Sequence, residues 1–207
     1  MIFKKKLILI GAGGHCNSCI DVIEQEGKFQ IAGLIGLPME KGLNLFGYEV
    51  IGSDEDLTLL GRKFEYALIT VGQIKTPKSR INLYNKAKVI GFKFPNIVSP
   101  YAYVSSHSSL GEGNIVMHGA TINSGAIIGD NCIINSHSLV EHDVKIGNHV
   151  HISTGAIING GVSVGNNTFI GSHCIVKEGI SVGENCIAGM GTKILNNLQS
   201  NAVLTGQ

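Results

Sequence analysis

Proline and bulky aromatic side chains all but vanish from the second half of the sequence. The four prolines (Pro38, Pro77, Pro95, Pro100) and every Phe and Tyr except Phe169 precede residue 104 of 207. So sharp a shift excludes one uniform architecture and marks a change of fold. An excess of charge is missing too. Sixteen basic residues against fifteen acidic leave a formal charge of +1, which supplies no electrostatic footprint for nucleic acid or an anionic membrane. No run of like charges is long enough to read as a disordered tail. Long apolar runs are also absent. The one that follows the lysines of "MIFKKKLILIGAGG" is only Leu7 to Ile10, too short for a secretory core or a membrane span. It predicts a buried first strand and a cytoplasmic protein. Five cysteines, an odd number, fit a reducing compartment better than a disulfide framework. Cys16 and Cys19 are three apart, but they fall at a predicted helix start and no second pair completes a zinc site.

The first half alternates apolar strands with helical patterns. Leu7–Ile10 runs into glycines and then "CNSCIDVIEQEG", with Cys19, Ile20 and Ile23 on one helical face and Gly27 as a stop. Phe29–Ile35 and Tyr66–Val71 read as further buried strands. Between them "GYEVIGSDEDLTLL" predicts a short strand and a helix capped by Ser53 or Asp54. "TPKSRINLYNKAKVIG" has Thr76 as N-cap, Pro77 in the first turn and Gly91 as terminator. Strands alternating with helices imply a small parallel sheet of Rossmann type over residues 1–97.

From residue 98 to 207 the sequence is a repeat. Every sixth residue from Val98 to Val182 is aliphatic, and glycine follows at Gly111, Gly129, Gly147, Gly165 and Gly183, eighteen apart. The position two before each aliphatic is usually small, as at Ala120, Ala126, Cys132, Ala156, Cys174 and Cys186. A six-residue period fits neither a strand's alternation nor a helix. It fits a solenoid in which six residues form one flat face and eighteen a triangular coil. Cys132, Cys174 and Cys186 are then small interior residues.

Four of the eight histidines, His137, His142, His149 and His151, crowd into this repeat. A metal site, an acid–base site and surface decoration all remain open on composition alone. The combination of "LILIGAGGH", "VEHDVKIG" and "INGGVSVG" resembles the NeuD/PglD-like sugar acetyltransferases of the hexapeptide-repeat acyltransferase superfamily. The likeness spans nearly the whole chain. It implies a left-handed parallel β-helix, a handedness that departs from the usual crossover rule, and a homotrimer with active sites between subunits. It also implies acetyl-CoA as co-substrate, no metal, and a nucleotide-activated amino sugar as acceptor.

The resemblance implies a role for particular residues. His142 would be the general base, Asp143 would orient its imidazole, and Asn135 would contact substrate. His151 would contact coenzyme, and the Gly160 N–H would bond the thioester carbonyl. An amine attacking a thioester must lose a proton, which an imidazole held by a carboxylate accepts well, while a backbone donor stabilises the oxyanion. His107, His137, His149 and His173 fall three after an aliphatic anchor and read as corner or trimer-contact residues. Zinc carbonic anhydrases of the same β-helix share the five-residue His137–His142 spacing. Their third ligand would fall at Tyr101, and His107 and His118 are out of register.

In the front half, "GAGGHC" could cradle a phosphate at a helix N-terminus. As a dinucleotide fingerprint it fails, because Cys16 stands where a third glycine belongs and "LIGLP" carries no acid at the end of the second strand. The resemblance implies that this domain holds the nucleotide of the sugar, lined by Gly13, Gly14 and His15 with Gly72 and Arg80, and that an acidic residue belongs near Gly36, where this sequence has none. It implies as well a coenzyme-proximal G-x-P-A-K segment that is not among the 207 residues; Lys177 and Lys193 are the candidates for CoA phosphates. The favoured reaction is N-acetylation of a UDP-linked 4-amino-4,6-dideoxy sugar, in bacillosamine, legionaminic acid or surface-glycan synthesis. Sialic acid O-acetylation is the alternative, with a zinc hydratase or a non-catalytic scaffold as remote ones.

Overall fold

The structure, a computed structural model, describes residues 4–205. It forms two compact units. One runs to Gly72 and takes up again over Lys78–Ile97; the other combines Gln73–Pro77 with the chain from Val98 onward.

The first unit is a five-stranded sheet of order β3-β4-β2-β1-β5, built from β1 (Lys5–Ile10), β2 (Phe29–Gly36), β3 (Asn44–Leu45), β4 (Tyr48–Ser53) and β5 (Tyr66–Ile69). All neighbours pair in parallel except the β3–β4 hairpin. Strand β1, flanked by β2 and β5, buries Leu7, Ile8, Leu9 and Ile10, because a parallel strand covered on both faces needs an unbroken apolar run. Helix α1 (Gly14–Glu26) buries Cys16, Cys19, Ile20, Val22 and Ile23 and ends where Gly27 turns left-handed at φ 70°. Helix α3 (Lys78–Ile90) ends likewise at Gly91, φ 104°. Helix α2 (Leu57–Leu60) corrects the expected cap: its N-cap position is Asp56, not Ser53 or Asp54. The Asp56 carboxylate turns back to accept the Ser53 N–H at 2.9 Å, which spends the turn's side chains on the preceding strand end.

The second unit is a left-handed parallel β-helix with three sheets of two-residue strands. Sheet one stacks Tyr103–Val104, Thr121–Ile122, Leu139–Val140, Ile157–Ile158, Ile175–Val176 and Lys193–Ile194. Sheet two runs from Ser109–Leu110 to Ser181–Val182, and sheet three from Ile97–Val98 to Val203–Leu204. Partners are offset by eighteen residues, as in Leu139 with Ile157. The aliphatic ladder is the interior: Val116, Ile122, Ile134, Val140, Ile152, Ile158 and Ile170 are all fully buried. Each such side chain is worth about 1.5–3 kcal/mol of burial. Cys132, Cys174 and Cys186 line the same interior as free thiols. The glycines eighteen apart let coils touch, since a Cβ on Gly147 would meet the Asn166 amide nitrogen at 2.8 Å. The last coil is shorter. Ile187 pairs with Val203, an offset of sixteen, and Leu198 bridges to Val182.

Between the strands the chain turns through left-handed corners. Positive φ recurs every six residues from Gly113 to Gly191, and Asn131, His137, Asp143, His149, Asn167, His173 and Asn185 hold non-glycine corners at φ 52–64°. Asn, Asp and His tolerate that region better than other side chains. The crowding of histidines is thereby explained at His137, His149 and His173. His107 keeps the six-residue register but not the positive φ.

Candidate active site

His142 stands one residue before a left-handed corner, and the corner residue is its partner. With φ 60°, Asp143 bends back so that its Oδ2 accepts from His142 Nδ1–H at 2.9 Å. Gly125, one coil earlier, makes the room: a Cβ there would run into Asp143 Oδ1. The His142 and Asp143 side chains are 62% and 73% exposed, so solvent screens the pair. The Asp143 hydrogen bond holds the imidazole's pKa above its ordinary 6.5, opposed by desolvation and helped by the charges of Asp143 and Glu141. Because Nδ1 is committed to the carboxylate, the lone pair sits on Nε2.

Nε2 lies directly over Gly160, where a Cβ would come within 2.6 Å of it. The adjacent Gly161 N–H donates to the His142 carbonyl at 3.0 Å, and Gly160's own carbonyl accepts from Gly179. The His142 imidazole and Gly160 are therefore fixed to each other by the coil stacking. Glu141 completes this corner, its Oε2 accepting from Asn123 Nδ2 at 2.9 Å and from the His142 N–H at 3.2 Å. Gly125, Asn123 and Glu141 are additions to the residues expected from sequence. Asn123 and Gly125 stand eighteen residues before Glu141 and Asp143, a register that could have found them.

His151 and Asn135 form a separate pair. His151 is 6% exposed; its Nδ1–H donates to the Gln73 carbonyl at 2.8 Å, and its Nε2 accepts from Asn135 Nδ2 at 3.2 Å. Its ring stands edge-on to Phe169, centroids 5.2 Å apart. Gln73 lies far away in sequence, and no local pattern announces it.

In the first unit, Gly11 is required by its φ of 123° and by Val71, whose Cγ2 a Cβ would approach to 2.6 Å. Above Gly13 and Gly14 there is open space instead, at the start of α1, where a phosphate can approach backbone amides. His15 flanks the same loop, its Cβ 3.4 Å from where a Cβ on Gly72 would stand. Arg80 behaves differently from a ligand contact. It is 1% exposed and its Nη1 donates to the carbonyls of Ile69 at 3.1 Å and Val71 at 2.7 Å. It shapes the segment leading from β5 to Gly72 from beneath. Burial pushes the Cys16 thiol up to about 11 and raises the Cys19 thiol further, so neither is a nucleophile. Among the described residues no group of three or more His, Cys, Asp or Glu side chains could hold a metal ion, and no helix is long and apolar enough to cross a membrane.

Comparison with known proteins bears on both units. The family described as PglD N-terminal domain matches residues 6–87. Bacterial transferase hexapeptide (six repeats) matches 107–142 and 125–160, and the hexapeptide repeat of succinyl-transferase matches 161–195. PerB from Caulobacter crescentus, solved with CoA and GDP-perosamine, is 30% identical with a TM-score of 0.89, over 98% of this chain and 94% of that one. Two further structures of the Caulobacter perosamine N-acetyltransferase carry a single histidine replaced by asparagine or alanine, again with CoA and GDP-perosamine. The acetyltransferase domain of PglB from Neisseria gonorrhoeae, in complex with acetyl coenzyme A, is 27% identical with a TM-score of 0.88, over 97% of this chain and 96% of that domain. WeeI from Acinetobacter baumannii, 19% identical with a TM-score of 0.75 and coverage of 98% and 97%, shares the fold. No curated protein sequence matches significantly.

Proposed function

Since the chain belongs to the PglD-like sugar N-acetyltransferases of the hexapeptide-repeat superfamily, we propose that it moves the acetyl group of acetyl-CoA onto the 4-amino group of a UDP-linked 4-amino-4,6-dideoxy sugar, with His142 as general base. The observation that carries this reading is the imidazole held by Asp143 with Nε2 turned onto Gly160. The sugar amine attacks the thioester carbonyl and forms the C–N bond. Its proton passes to Nε2, and the Gly160 N–H steadies the oxyanion. Collapse breaks the C–S bond, and the departing thiolate takes the proton from the imidazolium. The whole exchange passes through one tetrahedral species and needs no covalent enzyme intermediate.

The nucleotide binds over Gly13, Gly14 and His15, with Gly72 beside them, and Arg80 contributes by shaping the approach to Gly72. Asn135 and His151 take their place near coenzyme and acceptor through subunit contact in a trimer. The two-domain likeness to an enzyme solved with GDP-perosamine supports a nucleotide-linked amino sugar. Release of CoA thiol from acetyl-CoA tests this, with UDP- and GDP-linked 4-amino sugars and a sialic acid in parallel. Rapid release with an amino sugar is expected. Release with the sialic acid alone would replace N- by O-acetylation, and bacillosamine-type precursors would then leave the list of acceptors.

A further inference from the structure

The second strand ends without an acid, yet the structure puts one there. After Gly36 the chain makes a 3-10 turn over Pro38–Glu40, and the Glu40 side chain folds back toward the strand it has just left. Its Oε2 accepts the Leu37 N–H at 2.7 Å. A Cβ built on Gly36 would lie 2.5 Å from that same Oε2 and 3.2 Å from the Cβ of Ala12. The carboxylate therefore fills the place that a side chain on residue 36 would take, beside the glycine loop that follows β1. It is half-buried, and no described residue donates to its second oxygen.

In doubly wound sheets the crevice outside the carboxyl ends of the strands takes the nucleotide, and an acid at the end of the second strand holds ribose hydroxyls. A carboxylate accepts from two vicinal hydroxyls at once, and a sugar that lacks one of them leaves an acceptor unpaired. Asp56 is the nearest rival. It folds over Gly52 in a similar way, but it lies beyond β4, one strand farther from the glycine loop, and its Oδ2 is engaged by the Ser53 N–H and hydroxyl.

We infer that Glu40 is the ribose-recognition residue of this chain and that it makes the first unit select ribonucleoside diphosphates over their 2′-deoxy counterparts. The inference rests on the nucleotide-sugar reading above. It gives the ribose of the proposed UDP-linked acceptor its own recognition residue, independently of the base. The sequence conceals this because the turn, not the strand, delivers the carboxylate.

Titration of the full chain with UDP, GDP, dUDP and dGDP tests it, on unmodified protein and on Glu40→Gln, Glu40→Ala and Asp56→Asn. The unmodified chain is expected to bind a ribonucleotide about tenfold or more tighter than its 2′-deoxy form, as a hydrogen bond to a charged group allows. Glu40→Gln, which still offers an oxygen to the Leu37 N–H, should collapse that ratio to about threefold or less, whereas Asp56→Asn should preserve it. A merely structural Glu40 would change thermal stability in Glu40→Ala and leave the ratio intact in both variants; that result overturns the inference. So does equal binding of ribo and deoxy forms, while the nucleotide reading survives. Failure of all four nucleotides to bind overturns both together.

Discussion

Gly160 does not adopt a left-handed backbone, so alanine there costs the coil little, yet the added Cβ would stand 2.6 Å from His142 Nε2 and 2.7 Å from Cε1. The ring has to swing off the axis along which the proposed base would accept the amine proton. Gly160→Ala is therefore expected to lower turnover by about tenfold or more, within the 10²–10⁴-fold that a general base supplies, while the melting temperature barely moves. Unchanged steady-state rates would remove Nε2 from the reaction. Asp143 gives a second handle through pH. The proposed base works only when neutral, and the Asp143 hydrogen bond raises its pKa above 6.5. The acid limb of kcat/KM against pH should accordingly lie above the ordinary imidazole value. In Asp143→Asn it should move to lower pH as the maximal rate falls, and a limb that stays in place would separate Asp143 from the base. The pairing of His142 with Asp143 was implied by the resemblance that "VEHDVKIG" carries, and the contact itself is local, one residue apart. Glu40 was not legible, because its position depends on the path of a turn, and Gln73 was not, because it meets His151 from 78 residues away.

At the scale of the repeating element, the left-handed corners account for the register at which histidine recurs. His137, His149 and His173 hold φ near 56°, and the glycine one coil before His137 and His173 leaves space for the ring, since a Cβ on Gly155 would meet His173 Cε1 at 2.7 Å. His149 instead faces Asn131 Nδ2 at 3.0 Å in a stack of corner side chains. Alanine at any of the three keeps the left-handed backbone but loses the side chain that tolerates it. Each His→Ala should cost about 1 kcal/mol, each His→Asn much less, and none should change turnover. Chemical denaturation with a parallel thiol-release assay checks this; a large activity loss in His149→Asn would return that residue to the site. The six-residue ladder was legible because an interior position excludes water wherever it recurs. The short last coil was not, because Leu198 takes over the ladder only four residues after Ile194, out of step with the period.

At the scale of the molecule, the outward residues of the β-helix differ from sheet to sheet. Sheet two presents Ser109, Lys145, Ser163 and Ser181, which hydration suits, with Ile127 as a single exposed apolar residue in that column. Sheet one presents Leu139, Ile157 and Ile175 in one register column, the first two half-buried and Ile175 38% exposed. Their strand neighbours Val140, Ile158 and Val176 already fill the interior, so the column cannot be covered from within its own coil. The proposed trimer covers it by packing sheet one against other copies, where apolar residues removed from water contribute about 25 cal/mol per Å². Trimerisation was implied by resemblance alone at the level of sequence, because a six-residue period marks what faces inward and says little about the outer face. The double variant Ile157→Glu with Ile175→Glu puts two carboxylates into that column without touching the ladder. Size exclusion with light scattering should then show a monomer where the unmodified chain gives a trimer, with the β-helix circular dichroism retained and thiol release lost. Loss of the trimer with turnover intact would place every catalytic group within one chain, and a monomeric unmodified protein at working concentration would remove the intersubunit site altogether.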